Sequence, residues 1–124
     1  MATVKPILRI FDYDKAVEFY INWLRFKIDW INKEDNLPIF MQVSFADIVF
    51  YLSEHHGDSC PGARIFIDGF RGLVAYHKGL IDKKYKYNKP GIDTPFYDGT
   101  ALEMTAHDPF GNRLTFLERN INVQ

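Results

Sequence analysis

Near its end the chain reads His107-Asp108-Pro109-Phe110-Gly111-Asn112-Arg113-Leu114-Thr115-Phe116-Leu117-Glu118, a tight turn that runs directly into an alternating strand. Pro109 presets φ for a turn position, and Gly111 can take the positive φ that closes the turn. In the strand that follows, Leu114 and Phe116 point to one side and Thr115 points to the other. The stretch therefore predicts a turn followed by a strand whose two faces meet different surroundings.

Length and composition predict one domain over residues 1–124 that can bury a full core without disulfides or metal. Of the residues, 47% are apolar and 16% aromatic, so rings can line a pocket as well as a core. The net charge of −1 argues against a polyanion-binding surface, and no nucleic-acid partner is expected. No segment approaches the roughly 18 apolar residues of a membrane span, and no signal-peptide pattern is present, so no membrane partner is expected. The single cysteine, Cys60, cannot form an internal disulfide, which favours a cytoplasmic location.

The first module, about residues 4–53, has the pattern of one strand, one helix and three strands. Pro6 to Phe11 reads as a strand, and Asp12 offers an N-cap oxygen to the helix that follows. Five apolar residues then recur at helical spacing and predict one buried stripe: Ala16, Phe19, Tyr20, Trp23 and Leu24. Alternating segments at 26–31, 39–45 and 47–53 predict the three strands.

A polar linker at about residues 54–62 precedes a second module, about 63–119, with the same order of elements. Arg64 to Asp68 predicts a strand, and residues 72–84 predict a helix with a stripe of Leu73, Tyr76 and Leu80. A short strand is expected at 85–87, and two longer strands at about 100–107 and 112–118. The two βαβββ modules predict an α+β fold in which a curled, mostly antiparallel sheet carries its helices on the convex face.

The alternation of side chains assigns each strand residue to one face of the sheet. The helix-facing positions are Leu8, Ile10, Phe50, Leu52, Ile65, Ile67, Leu114 and Phe116. The positions facing the hollow are Lys5, Ile7, Arg9, Val49, Tyr51, Arg64, Phe66, Asp68, Arg113 and Thr115. The opposite assignment would bury Arg64 and Asp68 beneath a helix, which carries a large desolvation cost.

The paired modules resemble the vicinal oxygen chelate superfamily, which includes glyoxalase I, extradiol dioxygenases, fosfomycin-resistance enzymes and bleomycin-resistance proteins. The segments that carry the resemblance are Leu8-Arg9-Ile10, Lys15-Ala16-Val17-Glu18-Phe19-Tyr20 after Asp12, and Asp108-Pro109-Phe110-Gly111-Asn112-Arg113-Leu114. The loop Leu52-Ser53-Glu54-His55-His56-Gly57-Asp58, with Pro61-Gly62 after it, is similar to the bleomycin-resistance-like branch.

In metal-dependent members of that superfamily, four inward-facing residues, usually His and Glu, hold a divalent metal. By position the resemblance places these four slots at Lys5, Tyr51, Arg64 and Thr115, with the middle two uncertain by a residue or two. Lys5 and Arg64 would repel a cation, and a neutral Tyr or Thr hydroxyl is a poor ligand at pH 7. We therefore expect no metal in the hollow, no cofactor and no catalytic residue.

A second group of potential ligands lies in the linker and comprises Glu54, His55, His56, Asp58 and Cys60. Adjacent histidines in an extended segment point in opposite directions and rarely chelate one ion together, so an exposed linker is the favoured interpretation. Whether a metal binds at His55 and His56 stays open at this point. His77, on the second helix, is interpreted as structural. His107, which lacks an identifiable partner for acid–base chemistry, is interpreted as a surface residue.

The aromatic residues are the better candidates for a binding site. Several fall near strand edges or before the seventh strand: Trp30, Phe40, Phe45, Tyr51, Phe66, Phe96 and Tyr97. The resemblance implies a homodimer with shared clefts, in which rings stack on a planar ligand and acidic groups favour its cationic tail. It leaves open whether the modules pair within one chain or swap between chains. Candidate acidic contacts here are Asp68, Asp98 and Glu103.

The predicted ligand-binding residues are Lys5, Arg9, Tyr51, Arg64, Phe66, Phe96, Tyr97, Glu103 and Thr115. We expect a metal-free protein that sequesters a small planar molecule, for which a glycopeptide-type antibiotic is one candidate. Known sequestering proteins of this type are acidic, whereas this chain is near neutral, and its basic hollow residues favour an anionic or neutral ligand. The alternatives are a glyoxalase-like lyase or dioxygenase with a displaced metal, and a regulatory module without a ligand.

Overall fold

A computed structural model describes residues 1–120 of the chain, and within them it forms two four-stranded sheets and two helical segments. The first half contains β1 (Ile7–Arg9), α1 (Tyr13–Ala16, continued by a π-helix over Val17–Trp23), β2 (Lys27–Asn32), β3 (Phe40–Phe45) and β4 (Ile48–Ser53). The second half contains β5 (Arg64–Asp68), α2 (Leu73–Asp82), β6 (Ile92–Asp93), β7 (Leu102–His107) and β8 (Arg113–Glu118). No helix in this part of the chain is long and apolar enough to cross a bilayer.

The two sheets share one topology. The first has the order β1-β4-β3-β2 and the second has the order β5-β8-β7-β6. In each sheet the leading strand pairs in parallel with the last strand of its module, and the remaining pairs are antiparallel. The prediction of an α+β fold built from two βαβββ modules is confirmed.

The chain separates into two compact units that nearly follow the predicted modules. Within the described residues, the first unit comprises residues 1–63 together with Asp108–Asn112, and the second comprises residues 64–107 and 113–120. The linker thus packs with the first unit, and so does the turn between β7 and β8. That the whole chain acts as one domain stays a prediction.

Both helices bury the stripes that their sequences predict. In α1 and its π-helical continuation, the five predicted stripe residues are at most 2% exposed. The Asp12 carboxylate accepts the N–H of Lys15 at 3.0 Å as an N-cap. The helix ends in π geometry, because the N–H of Leu24 donates to the carbonyl of Phe19 at 2.9 Å. In α2, the three predicted stripe residues are at most 4% exposed.

The predicted face assignment is also visible in ring contacts beneath the helices. The rings of Tyr20 and Phe50 are 5.8 Å apart in the first unit, and those of Tyr76 and Phe116 are 5.6 Å apart in the second. The opposite face of each sheet carries the remaining residues of each strand and is called its open face below. Thr115 lies on the open face of the second sheet, as expected, and its side chain is fully buried there.

The prediction of a strand at residues 85–87 is wrong. The chain turns there, and β7 pairs instead with Ile92 and Asp93. Lys84 adopts φ 52° at the end of α2, which redirects the chain. A strand requires a hydrogen-bonding neighbour, and the edge of β7 is occupied by the later segment.

A buried carboxylate organises the turn between β7 and β8. Asp108 is 7% exposed, and its Oδ1 accepts the N–H groups of Phe110 and Asn112, each at 2.8 Å. Its Oδ2 accepts the Tyr20 hydroxyl at 2.6 Å and the Asn112 amide at 2.7 Å. Gly111 supplies the φ of 90° that the turn requires. Burial raises the pKa of Asp108, and the hydrogen bonds oppose that rise by favouring the charged form.

Asn112 extends the network to two further segments of the first unit. Its Nδ2 also donates to the Arg9 carbonyl at 2.9 Å, and its Oδ1 accepts the N–H of Ala63 at 3.1 Å. The turn is thereby hydrogen-bonded to the end of β1, to α1 and to the end of the linker.

We expect Asp108→Ala to lower the free energy of unfolding by roughly 3 kcal/mol, because it leaves four donors without their acceptor. Urea denaturation followed by circular dichroism measures the change. The control is Asp35→Ala, which removes an exposed carboxylate and should change stability by less than about 0.5 kcal/mol. Equal stability of the two variants would contradict a supporting role for the Asp108 network.

Candidate functional site

Three aromatic rings lie together on the open face of the first sheet. The Trp30 and Phe40 rings are stacked at 5.9 Å with an interplanar angle of 20°, and Tyr51 lies 4.9 Å from Phe40 and 5.7 Å from Trp30. The register explains the grouping, because Trp30 pairs with Gln42 and Gln42 pairs with Tyr51 across β2, β3 and β4. Trp30 is 44% exposed, so this three-ring cluster presents an aromatic surface to a ligand.

Polar side chains beside the three-ring cluster form a connected series. The Lys5 ammonium lies 5.5 Å from the centroid of the Tyr51 ring and donates to Gln42 Oε1 at 3.0 Å. Gln42 Nε2 donates to Asp29 at 3.0 Å, and the Ser44 hydroxyl donates to the same carboxylate at 2.9 Å. The Gln42 hydrogen bond is the main reason that the pKa of Asp29 lies below its ordinary value. The series holds one cation and one anion in place next to the rings.

The three predicted residues of the first unit have different outcomes. Tyr51 belongs to the three-ring cluster, and Lys5 lies over it. Arg9 instead donates from Nε to the Ile10 carbonyl at 3.3 Å, and its guanidinium lies 4.7 Å from the centroid of the Phe11 ring.

The open face of the second sheet brings three predicted residues together. An Arg64 Nη donates to the Thr115 hydroxyl at 3.4 Å, and the hydroxyls of Thr115 and Thr105 are 2.9 Å apart. Phe66 pairs with Thr115 across the parallel strands and is 46% exposed. The predicted residues Arg64, Phe66 and Thr115 therefore share one surface, with Thr115 beneath it.

The remaining predicted residues lie before or on β7. Tyr97 donates to a Glu103 oxygen at 3.5 Å, and its ring meets Phe96 edge-on at 5.4 Å. Phe96 is fully exposed and Tyr97 is 48% exposed. Desolvation and then the Glu103 charge raise the pKa of Tyr97, so its hydroxyl keeps its proton and acts as a donor.

Arg119 was not identified from the sequence, although it decides the electrostatics of this region. Its Nε and one Nη donate to the two oxygens of Asp68 at 2.8 and 3.1 Å, and its other Nη donates to Asp98 at 3.3 Å. The hydrogen bond to Arg119 is the main cause that lowers the pKa of Asp68. Asp68 and Asp98, expected as contacts for a cationic ligand, are thus already paired. The position of Arg119 just after β8, the strand beside β5, was the available signal.

The four positions that correspond to metal ligands divide between the units and do not fit a divalent metal. Lys5 lies beside Tyr51 in the first unit, and Arg64 donates to Thr115 in the second. Two of the four are cations, and neither hydroxyl is a ligand of the expected kind. Elsewhere in residues 1–120, no three His, Cys, Asp or Glu side chains are grouped to hold a metal ion.

The expectation that His55 and His56 point in opposite directions is wrong. Their rings are stacked at 5.1 Å with an interplanar angle of 20°, because the chain turns at residues 56–58 instead of staying extended. His55 Nδ1 accepts the Gly57 N–H at 3.1 Å, and Asp58 accepts the Ser53 hydroxyl at 2.6 Å. These hydrogen bonds join residues of the same loop and stabilise its turn. Cys60 is exposed.

The other two histidines are His77, interpreted from the sequence as structural, and His107, interpreted as a surface residue. His77 Nε2 lies 2.8 Å from the carbonyl oxygen of Pro90, and this hydrogen bond fastens α2 to the segment before β6. His107 is exposed at the end of β7.

The family model described as glyoxalase superfamily protein matches residues 1–122. The chain belongs to the glyoxalase superfamily. Among curated proteins, none matches this glyoxalase-superfamily chain significantly.

Solved structures show the same fold at low sequence identity. The bleomycin resistance determinant encoded on transposon Tn5 is 16% identical, with 96% of this chain and 98% of that chain covered and a TM-score of 0.72. The bleomycin-binding protein from Streptomyces verticillus, complexed with copper(II)-bleomycin, is 21% identical, with 94% of each chain covered and a TM-score of 0.65. The antibiotic binding protein TnmS3 from Streptomyces sp. CB03234 is 14% identical, with 95% and 97% covered and a TM-score of 0.65.

We expect the purified glyoxalase-superfamily chain to carry no stoichiometric Zn, Ni, Mn or Fe after dialysis, because its four corresponding positions are unsuited to a divalent metal. Elemental analysis measures the content, and melting temperatures with and without EDTA measure any stabilisation by metal. A stoichiometric metal whose removal lowers the melting temperature would contradict this expectation.

Proposed function

We propose that this protein binds a small planar molecule without chemical conversion and without a metal ion. The observation that carries the proposal is the three-ring cluster of Trp30, Phe40 and Tyr51 on the open face of the first sheet. Aromatic rings of the core instead pack between a helix and its sheet, as Tyr20 of the helix and Phe50 of β4 do. A half-exposed stacked Trp, by contrast, offers a flat apolar surface to a ligand.

The comparisons support a binding role of this kind. Two structural relatives are described as binding proteins for bleomycin or another antibiotic, and a third is described as a bleomycin resistance determinant. Their identities to this chain are below 25%, so they support the architecture of a binding protein and leave its ligand to be found. We propose that Lys5 and Tyr51 contact the ligand on the first sheet, together with Trp30 and Phe40. We propose separately that the predicted residues of the second unit provide ligand contacts on its own surface.

Charge on the open faces favours a neutral or anionic ligand over a strongly cationic one. The carboxylates of Asp68 and Asp98 are paired with Arg119, and that of Asp29 accepts two hydrogen bonds within the first unit. Lys5 and Arg64, in contrast, form no salt bridge with a carboxylate in residues 1–120. A cationic glycopeptide antibiotic is therefore a weaker candidate than a planar molecule without positive charge.

We expect Trp30→Ala to weaken binding of a neutral planar probe, 2-naphthamide, about tenfold, because loss of one stacking surface removes about 1.4 kcal/mol. Isothermal titration calorimetry measures the affinity. The matched control is Tyr87→Ala, which removes an aromatic ring that is 69% exposed and lies outside both sheets.

Two results would count against the proposed function. One is the absence of any heat or melting-temperature shift with 2-naphthamide and with bleomycin alike. The other is equal loss of affinity in Trp30→Ala and Tyr87→Ala, which would mean that exposed rings bind the probe non-specifically.

We also propose that the protein is a C2 homodimer, as the superfamily resemblance implies for shared clefts. Light scattering after gel filtration should then give twice the chain mass of 14.5 kDa. A mass of one chain across the accessible concentration range would contradict the dimer and leave the binding proposal standing.

A further inference from the structure

A row of basic side chains crosses one end of the second sheet. Arg64 pairs with Arg113 across β5 and β8, and Arg113 pairs with His107 across β8 and β7. Paired residues of neighbouring strands point to the same face, so the three side chains lie side by side on the open face. All three are exposed. We call this set the basic row.

The basic row has no acidic counterpart in the described part of the chain. Neither guanidinium forms a salt bridge there, and the polar contact of Arg64 is the 3.4 Å hydrogen bond to Thr115. Like charges directly opposite each other on adjacent strands destabilise a sheet. Arg119, which follows the far end of β8, shows the alternative, because its guanidinium binds two carboxylates. The fold thus tolerates two paired arginines on neighbouring strands, and among the described residues the Arg64–Thr115 contact is the hydrogen bond that their guanidinium groups form.

Charge is segregated along the open face of the second sheet. The next row inward consists of Phe66, Thr115 and Thr105, and the row after that contains Asp68 and Glu103. The acidic row is four residues from the basic row, or about 13 Å along the strands. That distance exceeds the Debye length of about 8 Å at physiological ionic strength. Salt therefore screens most of the attraction between the two rows, and the acidic row does not neutralise the positive charge of the basic row.

The basic row lies beside groups that suit the rest of a planar ligand. Phe66 is 46% exposed, and the same row carries the half-buried Thr105, whose hydroxyl lies 2.9 Å from that of the buried Thr115. Guanidinium groups bind carboxylate, sulfonate and phosphate oxygens in bidentate geometry, and an imidazole can donate one further N–H. A ring stacked on Phe66 would bring a substituent on its edge toward these donors.

We propose that the basic row of Arg64, Arg113 and His107 binds the anionic group of the ligand, which is therefore a planar aromatic anion. This inference rests on the proposed function, since it specifies the chemical class of the molecule that the protein sequesters. The anionic group is a carboxylate, a sulfonate or a phosphate, which share the recognition chemistry.

The test compares two probes that differ in one charge, 2-naphthoate and 2-naphthamide, by calorimetry at low and at physiological salt. We expect the wild-type protein to bind naphthoate at least tenfold more tightly, with the preference decreasing as salt rises. Arg113→Gln should reduce the preference about fivefold or more, mainly by weakening naphthoate. Naphthalene-2-sulfonate and 2-naphthyl phosphate, measured in parallel, identify the preferred anion.

Three variants control the experiment. Lys78→Gln removes one positive charge from α2, on the other side of the same sheet, and should change the preference less than twofold. Arg113→Lys keeps the charge but loses the planar fork, and should fall between wild type and Arg113→Gln. Arg64→Gln is an independent variant of the same row, and melting temperatures verify that each variant folds.

The outcomes separate this inference from the proposed function. Equal binding of naphthoate and naphthamide, or equal effects of Arg113→Gln and Lys78→Gln, would overturn the anion site and leave the binding function in place. Failure of every probe to bind would overturn both. A naphthoate preference that disappears in Arg113→Gln and Arg64→Gln but persists in Lys78→Gln supports the basic row as the anion site.

Discussion

The Asp108 carboxylate is the constraint that orders the turn between β7 and β8 and ties this turn to three segments of the first unit. Its four hydrogen bonds order the turn and connect it to the Tyr20 hydroxyl on α1, and Asn112 continues the connection to Arg9 and Ala63. The same turn sets the starting register of the β7–β8 hairpin, in which His107 pairs with Arg113. The later pairs of the hairpin follow from this register, including the pair of Thr105 and Thr115, whose hydroxyls are 2.9 Å apart.

The helices decide which face of each sheet is available for binding. Because α1 and α2 cover the apolar positions, the alternate positions carry the rings and charges of the open faces. On the first sheet these positions hold the three-ring cluster with Lys5 beside it, and on the second they hold basic, hydroxyl and acidic rows in sequence. These ring and charge patterns are the basis of the proposed binding of a small molecule.

Much of the fold could be predicted because it follows from local periodicity. The buried stripes of both helices and the strand Arg64–Asp68 match their predicted positions, since 3.6-residue and two-residue periods are visible in any window of sequence. The failures involve contacts between distant segments. The choice of Ile92–Asp93 over residues 85–87 depended on competition for the edge of β7, and the stacking of His55 on His56 depended on a turn that the loop's own hydrogen bonds close.

The sequence by itself determined the superfamily and the order of the elements, because these depend on residue type and spacing alone. It also proposed Tyr51, Arg64, Phe66, Tyr97 and Glu103 as candidates for ligand binding. Only the tertiary structure decided which side chains contact one another on the two sheets. Trp30 stacks on Phe40, Arg119 forms ion pairs with Asp68 and Asp98, and Arg64 pairs with Arg113 without an acidic partner among the described residues. The physical reason is that strand register places residues up to 51 positions apart within hydrogen-bonding distance, as in Arg64–Thr115 and Asp68–Arg119, and no local pattern encodes those pairs.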